Sequence, residues 1–466
     1  MELFGTAGIR GPIDEVVTPT RALEVGAAVG SLVREGSFGE SDSIAIGRDG
    51  RTSGPALAAA VEAGVLATGV PVERVGVVPT PALAYASRGR AGIMLTASHN
   101  PPGDNGIKVF EDGVEVDRTI EQEIEAAVDR GVDPADWPVW ADATTGEVLS
   151  RYRNAILCYA ESMGDAPTDL RVAVDCGNGM GALATPSVLA SLGADVVTLN
   201  GNVDGHFPGR PSKPTPDTIG DLRRFVGDDR STDLGIAHDG DADRIVIVDG
   251  DGDVVHEDTI VAILAEQYVR HVDAEDPIVV TTPNASDRID ERVSAAGGRT
   301  ERVRLGALHE GIATAEADGG TVVFAAEPWK HIHTAFGGWI DGVVSAAVLV
   351  RLVAESGLDS LREPVTERPY RKVSVECSDP NKAPVMRELE SSLPNAFPEA
   401  TVDTDHGVRL SLPDGSWLLV RPSGTEPYVR LYAESDRVDE LIETARDRIE
   451  SAIGTIDPDD STPNDN

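Results

Sequence analysis

Ser98 stands in the loop Thr96-Ala97-Ser98-His99-Asn100-Pro101, just after the apolar run Gly92-Ile93-Met94-Leu95. A serine leaving a buried strand sits on rigid backbone with its hydroxyl toward a cleft, where it can accept or donate a covalent group. His99 beside it can orient that hydroxyl or bind phosphate oxygens. Taken alone, the run reads more readily as a polar turn. A second stretch, Asp239-Gly240-Asp241-Ala242-Asp243-Arg244, follows the apolar Leu234-Gly235-Ile236-Ala237. Alternate side chains of an extended loop point the same way, so these three carboxylates can converge on one hard cation. Oxygen-only ligation suits Mg²⁺. A calcium loop would need Gly where Arg244 stands and Glu at Gly250. A solvated acidic turn is the other reading, and Asp249-Gly250-Asp251-Gly252-Asp253 is expected to be that, a hairpin turn. Arg244 beside a metal can grip a phosphoryl group bidentately.

Arg421-Pro422-Ser423-Gly424-Thr425-Glu426-Pro427 offers a guanidinium, two hydroxyls and a glycine that lets backbone N–H groups approach an anion. Its alternative is a capped tight turn. Glu327-Pro328-Trp329-Lys330-His331 can hydrogen-bond sugar hydroxyls, and Trp329 either stacks on a sugar face or packs beneath the loop. Lys108 follows closely on the Ser98 loop, and Arg10 lies in a Gly-rich first turn.

Three stretches of similar plan must position these loops. Ile44-Ala45-Ile46, Val172-Ala173-Val174 and Ile278-Val279-Val280 each read as a buried strand followed by a turn, a helix and another apolar segment. That predicts three related α/β domains. The stretches 370–375, 408–412, 417–420 and 428–432 read as antiparallel strands before a helix over about 438–453, an α+β module. The expected domains span 1–150, 151–255, 256–366 and 367–455, with a disordered tail over 456–466.

At 466 residues the chain is too long for one ordinary core. No apolar run is long enough to span a membrane, and no secretory signal opens the chain. Its three cysteines are scattered, with no metal spacing or disulfide framework, which points to the cytoplasm. Net charge is −39, and of 40 Lys and Arg only five are lysine. Such a surface resembles that of proteins from cells that accumulate salt, where charge repulsion is screened. It argues against nucleic-acid and anionic-membrane partners.

These loops, in this order, resemble the α-D-phosphohexomutase superfamily, over about residues 3–453. The resemblance implies four domains around a cleft, a phosphoserine at Ser98, and one Mg²⁺ held by Asp239, Asp241, Asp243 and the serine. Arg10, Lys108 and Arg244 match active-site positions, His99 beside the serine is a further catalytic candidate, and Glu327, Lys330 and His331 lie in the sugar loop. Arg421, Ser423, Gly424 and Thr425 match the phosphate-binding loop, and Arg430 after them is a further substrate-binding candidate. Most members read Gly-Glu-x-Ser-Gly-His where this chain has Ala326-Glu327-Pro328-Trp329-Lys330-His331, so Trp and Lys replace the sugar-contacting Ser and flexible Gly. The loop 304–308 likewise departs from the usual Thr-x-Val-Gly.

The implied reaction passes a phosphoryl group from Ser98 to a sugar hydroxyl and back through a bisphosphorylated sugar. Lys108 and His331 are the expected acid/base groups, on the argument that burial near cations lowers both toward neutral. Phosphoglucosamine mutase is the leading activity, followed by phosphoglucomutase/phosphomannomutase and then phosphopentomutase. A Mg²⁺-dependent phosphatase and a non-catalytic phosphosugar binder are the competing classes. The expected partner is a small phosphosugar, and the expected assembly a monomer or homodimer.

Overall fold

The computed structural model describes residues 3–5, 8–39, 42–424 and 426–456. Three of its four sheets share one plan. In the first, Ile44–Arg48 lies parallel between Val72–Val77 and Ala91–Leu95, and Asp104–Glu111 returns antiparallel along Ala91–Leu95. In the second, Arg171–Asp175 lies parallel between Asp195–Leu199 and Leu234–His238, and Ile245–Asp249 returns antiparallel. In the third, Pro277–Thr281 lies parallel between Arg299–Arg302 and Thr321–Glu327, and Lys330–Ile332 returns antiparallel. The segments that link each third strand to its return strand are 96–103, 239–244 and 328–329. They are the expected serine, aspartate and sugar loops, set at equivalent points of three related α/β domains.

The fourth unit is an antiparallel sheet in the order Tyr370–Glu376, Tyr428–Glu434, Trp417–Pro422, Val408–Ser411, Thr401–Asp403. The helices Asp379–Ala396 and Val438–Ile456 share its apolar core, built on Val408, Leu410, Leu418, Val420, Val429 and Leu431. Two of these elements have no clear sequence signature. Thr401–Asp403 is an exposed edge strand without apolar alternation, and the helix Asp379–Ala396 contains Pro384 and Pro394, which read as breaks. The last helix runs through Ile456, one residue into the expected tail, and the rest of that tail lies outside the described residues.

The helix Gly342–Ser356 ties the first three units together. It is buried through Val353, all round its circumference, as an interior helix must be. Its apolar surface shares one core with Met94, Tyr152, Val174, Ile236 and Phe324. Asp341 caps it, accepting from the Val343 and Val344 N–H groups while also holding the Tyr152 hydroxyl and the Trp339 indole. Asp249 to Asp253 forms the expected hairpin turn, closed by Gly252 N–H to the Asp249 carbonyl and Asp249 N–H to the Asp253 carbonyl.

Candidate active site

Ser98 is fully buried, at the C-terminal end of Ala91–Leu95. Its φ is +47°, a left-handed conformation that costs a β-carbon-bearing residue on the order of 1 kcal/mol. The surroundings enforce it. The Thr96 hydroxyl accepts from Ser98 N–H at 2.9 Å. Arg51, also fully buried, braces this loop with its terminal nitrogens, which donate to the carbonyls of Ser98, Asn100, Pro101 and Asp104, while its Nε donates to Asp49 at 3.0 Å. The serine hydroxyl is thereby aimed at Asp239, donating to Oδ2 at 2.6 Å. His99 Nδ1 lies 3.4 Å from the same hydroxyl.

The aspartate loop leaves the end of Leu234–His238. Gly240 lets it reach the serine loop, since a β-carbon there would stand 2.5 Å from the Ser98 carbonyl oxygen. Ala242, at φ +61°, makes the turn that brings the acidic side chains together. One carboxylate oxygen from each of Asp239, Asp241 and Asp243 lies within 4.8 Å of the others, and all three residues are buried. Thr80 O–H donates to Asp241 at 2.6 Å, and Thr96 O–H donates to Asp49 at 2.8 Å. Asp241 Oδ1 and Asp243 Oδ1 have no hydrogen-bond partner. Burial, then the charges of Asp243 and Asp241, push Asp239 well above the usual carboxylate range. Three crowded buried carboxylates with orphaned oxygens, plus a serine hydroxyl against one of them, are the donor set of a hard divalent cation, and Mg²⁺ fits it.

Cations ring the cluster. Lys108 Nζ lies 3.5 Å from Asp243 and 3.6 Å from Glu115. Arg244 Nε lies 3.7 Å from both Asp239 and Asp243. Burial would raise Asp243, but Lys108, Arg244 and Lys330 outweigh it and hold that carboxylate below its ordinary range. The same geometry corrects the acid/base expectation for Lys108. Burial lowers its ammonium, but Glu115 and Asp243 overcome that and raise it, so Lys108 stays charged rather than moving toward neutral. His99 is pushed down to about 3 by burial and by Arg244 and Arg10, so its imidazole stays neutral. Arg10 sits opposite Gly106 on the neighbouring strand, its Nε buried without a partner.

The sugar loop is joined to the aspartate loop. Arg244 bridges to Lys330, and Ile245 N–H donates to the Trp329 carbonyl at 3.2 Å. Lys330 Nζ lies 3.3 Å from Glu327 Oε2, and Glu327 Oε1 accepts from Gly306 N–H. Trp329 packs beneath the loop, against the apolar cluster of Ala173, Leu222, Val246 and Val248. His331 is not brought to this group. Neighbouring residues of a strand face opposite ways, so Lys330 turns to Glu327 while His331 turns inward, 1% exposed, with Nδ1 3.0 Å from the Ser345 hydroxyl. Burial pushes its imidazole down to about 3.

In the fourth unit Arg421 donates to the Tyr432 hydroxyl at 3.0 Å, and Arg430 pairs with Glu426. Ser423 is buried, its N–H given to the Tyr428 carbonyl, while Gly424 is open on the surface. Thr425 lies outside the described residues. Lys382 clamps this loop from within: its Nζ donates to the carbonyls of Ser423 at 2.7 Å and Glu426 at 2.6 Å, and pairs with Asp379.

Sequence reasoning passed over Arg51, Thr80 and Lys382. Asp49-Gly50-Arg51 was legible only as a turn, although an Arg two residues after an Asp at a buried strand's end is the available signal. Lys382 carries a compositional signal, being one of five lysines in the chain.

A serine set against a buried carboxylate cluster, on three α/β units and a fourth α+β unit, defines an isomerase of the sugar-phosphate mutase class. The comparisons agree. The four domain profiles of phosphoglucomutase/phosphomannomutase match in order: α/β/α domain I over residues 1–134, domain II over 150–252, domain III over 256–371 and the C-terminal domain over 374–452. A phosphopentomutase of Thermococcus kodakarensis is 43% identical over 96% of this chain and 97% of its own. A probable phosphoglucosamine mutase of Methanopyrus kandleri is 40% identical over 93% of this chain and 94% of its own. The crystal structure of a phosphoglucomutase/phosphomannomutase family protein from Burkholderia thailandensis superposes with a TM-score of 0.85, at 24% identity over 98% of each chain. The chain belongs to the phosphoglucomutase/phosphomannomutase family.

Proposed function

We propose that this enzyme shifts a phosphoryl group between the 1-position and the terminal hydroxyl of a sugar by relaying it through Ser98. The observation that carries the reading is the Ser98 hydroxyl held 2.6 Å from Asp239 inside a cluster of three buried carboxylates. Asp239, Asp241, Asp243 and Ser98 are the residues that would hold Mg²⁺. Bound there, the ion would neutralise charge on the phosphoryl group. Phospho-Ser98 then passes its phosphoryl group to a sugar hydroxyl: the bond from phosphorus to Oγ breaks as the bond to the sugar oxygen forms, and the proton that the sugar hydroxyl loses ends on the freed Ser98 Oγ. The bisphosphorylated sugar turns over, and its other phosphate returns to Ser98. Arg10, Lys108 and Arg244 supply positive charge around the moving group, and neutral His99 orients its oxygens. Arg421, Ser423, Gly424 and Thr425, with Arg430, grip the phosphate that is not moving. Glu327 and Lys330 meet the sugar.

The names of many curated relatives favour glucosamine phosphate as substrate. A phosphopentose is the second reading, favoured by the 43% identical relative and by the Glu327–Lys330 pair. With both Glu327 oxygens taken, its carboxylate is already compensated, which suits a neutral sugar better than an amino sugar. Turnover of glucosamine, glucose, mannose, ribose and deoxyribose 1-phosphates, with Mg²⁺ in high salt, decides between them. Net release of phosphate in place of isomerisation would replace the mutase by a phosphatase. We further infer a cytoplasmic, salt-adapted enzyme from the −39 charge and the three free cysteines. An unchanged melting temperature and full activity in dilute buffer would refute the salt adaptation.

A further inference from the structure

Arg421 does not stand alone on its face of the fourth sheet. Lys372 lies directly opposite Tyr432 in the neighbouring strand, and Arg421 directly opposite Arg430. Alternation puts Lys372, Arg430, Tyr432 and Arg421 on one face, away from the core formed by Val429, Leu431 and Val420. Tyr432 is the platform. The Lys372 ammonium and the Arg421 guanidinium each lie 5.5 Å from its ring centroid, and its hydroxyl accepts from Arg421. Glu426, the acidic residue of this loop, is taken by Arg430. Among the described residues no carboxylate lies within ion-pair distance of Lys372 or Arg421, in a chain with 79 acidic residues. Burial and the charges of Arg430, Arg421 and Lys213 lower the Lys372 ammonium, the mark of concentrated positive charge. Lys213 comes from the second unit, next to Ser212, whose hydroxyl donates to the Asn100 carbonyl of the serine loop.

We propose that Lys372 is a further ligand of the substrate's stationary phosphate, held beside the Tyr432 ring as Arg421 is from the strand on the other side. This rests on the reading of the Arg421 loop as the phosphate site. A buried-tyrosine platform with two uncompensated cations is suited to a dianion, which compensates both at once.

The test compares Lys372→Met, Lys372→Arg and Arg421→Met in the full chain, with sugar phosphates in both directions and inorganic phosphate as competitor. Loss of one charge-assisted contact to phosphate raises KM and the inhibition constant of phosphate about tenfold, while kcat changes less than about threefold. Lys372→Arg recovers most of the loss. If Lys372→Met leaves KM and phosphate inhibition within about twofold of wild type while Arg421→Met impairs both, the assignment of Lys372 falls and the loop reading stands. If both variants are silent, both readings fall. A KM rise that comes with a lowered melting temperature and is not recovered by Lys372→Arg makes Lys372 a packing partner of Tyr432 and overturns the proposal.

Discussion

In the proposed function the serine loop and the Arg421 loop both serve the phosphate chemistry, yet they are built in opposite ways. The serine loop buries Thr96, Ala97 and Ser98 at a strand end of a mixed sheet, and one arginine fixes it through main-chain carbonyls while pairing with Asp49. The Arg421 loop lies between antiparallel strands with Pro422, Gly424, Glu426 and Pro427 exposed, and one lysine ties it by two carbonyls. The difference fits the proposed tasks. Attack at phosphorus demands alignment to fractions of an ångström, which a buried, over-determined backbone supplies. Holding a phosphate that must arrive, turn and leave demands charge on an accessible loop.

The largest test removes the nucleophile. Ser98→Ala is expected to lower kcat by more than about 10³-fold and to abolish phosphate incorporation into the protein. Turnover near wild type would refute the relay. Next, Asp241→Asn is expected to lower activity about 10²-fold and to raise the Mg²⁺ concentration for half-maximal activity, with chelator stopping the wild type. Equal Mg²⁺ dependence in the two proteins would remove Asp241 from the ligand set. Arg51→Lys probes the rigid loop itself. It loses the planar fork and is expected to lower kcat about 10- to 100-fold with little change in KM. Lys382→Met, by contrast, is expected to raise KM several-fold with kcat almost unchanged. If the two variants showed the same pattern, the contrast between the loops would be wrong.

The smallest effect concerns stability behind the sugar loop. His331 is buried neutral, its pKa pushed from 6.5 to about 3. A lowered histidine contributes stability that is fully present above its unfolded value and is lost as pH falls through 6.5 toward 3. Replacing His331 by Gln is expected to shrink the difference in unfolding free energy between pH 7 and pH 5 by about 2 kcal/mol. Denaturant titrations at the two pH values measure it, and an unchanged difference would mean the imidazole takes up its proton in the folded state.

Much of this was legible. Apolar triplets at Ile44, Val172 and Ile278 marked the central strands, because a strand covered on both faces is apolar throughout. The chemistry-bearing loops stood out because nothing in a packed core calls for three alternating aspartates or for Arg, Ser and Thr around a glycine. What escaped was support rather than chemistry. Arg51 acts through main-chain carbonyls, which any sequence offers, so no partner residue betrays it. His331 was misplaced for a different reason: its motif position said loop, while alternation along a three-residue strand turned its ring into the core. For Lys108, proximity to cations was foreseeable, but not the carboxylates of Glu115 and Asp243 that outweigh it.

The equivalent placement of the three hairpins has an evolutionary consequence. If the shared plan reflects copying of one unit, the proposed function has the first copy supply the nucleophile, the second the cation site and the third the sugar reader. Each copy can then drift under its own selection. Exchanging Ser-Gly for Trp329-Lys330 would rewrite the proposed sugar reader, and through the Arg244–Lys330 bridge and the pull of Lys330 on Asp243 the change also reaches the aspartate loop.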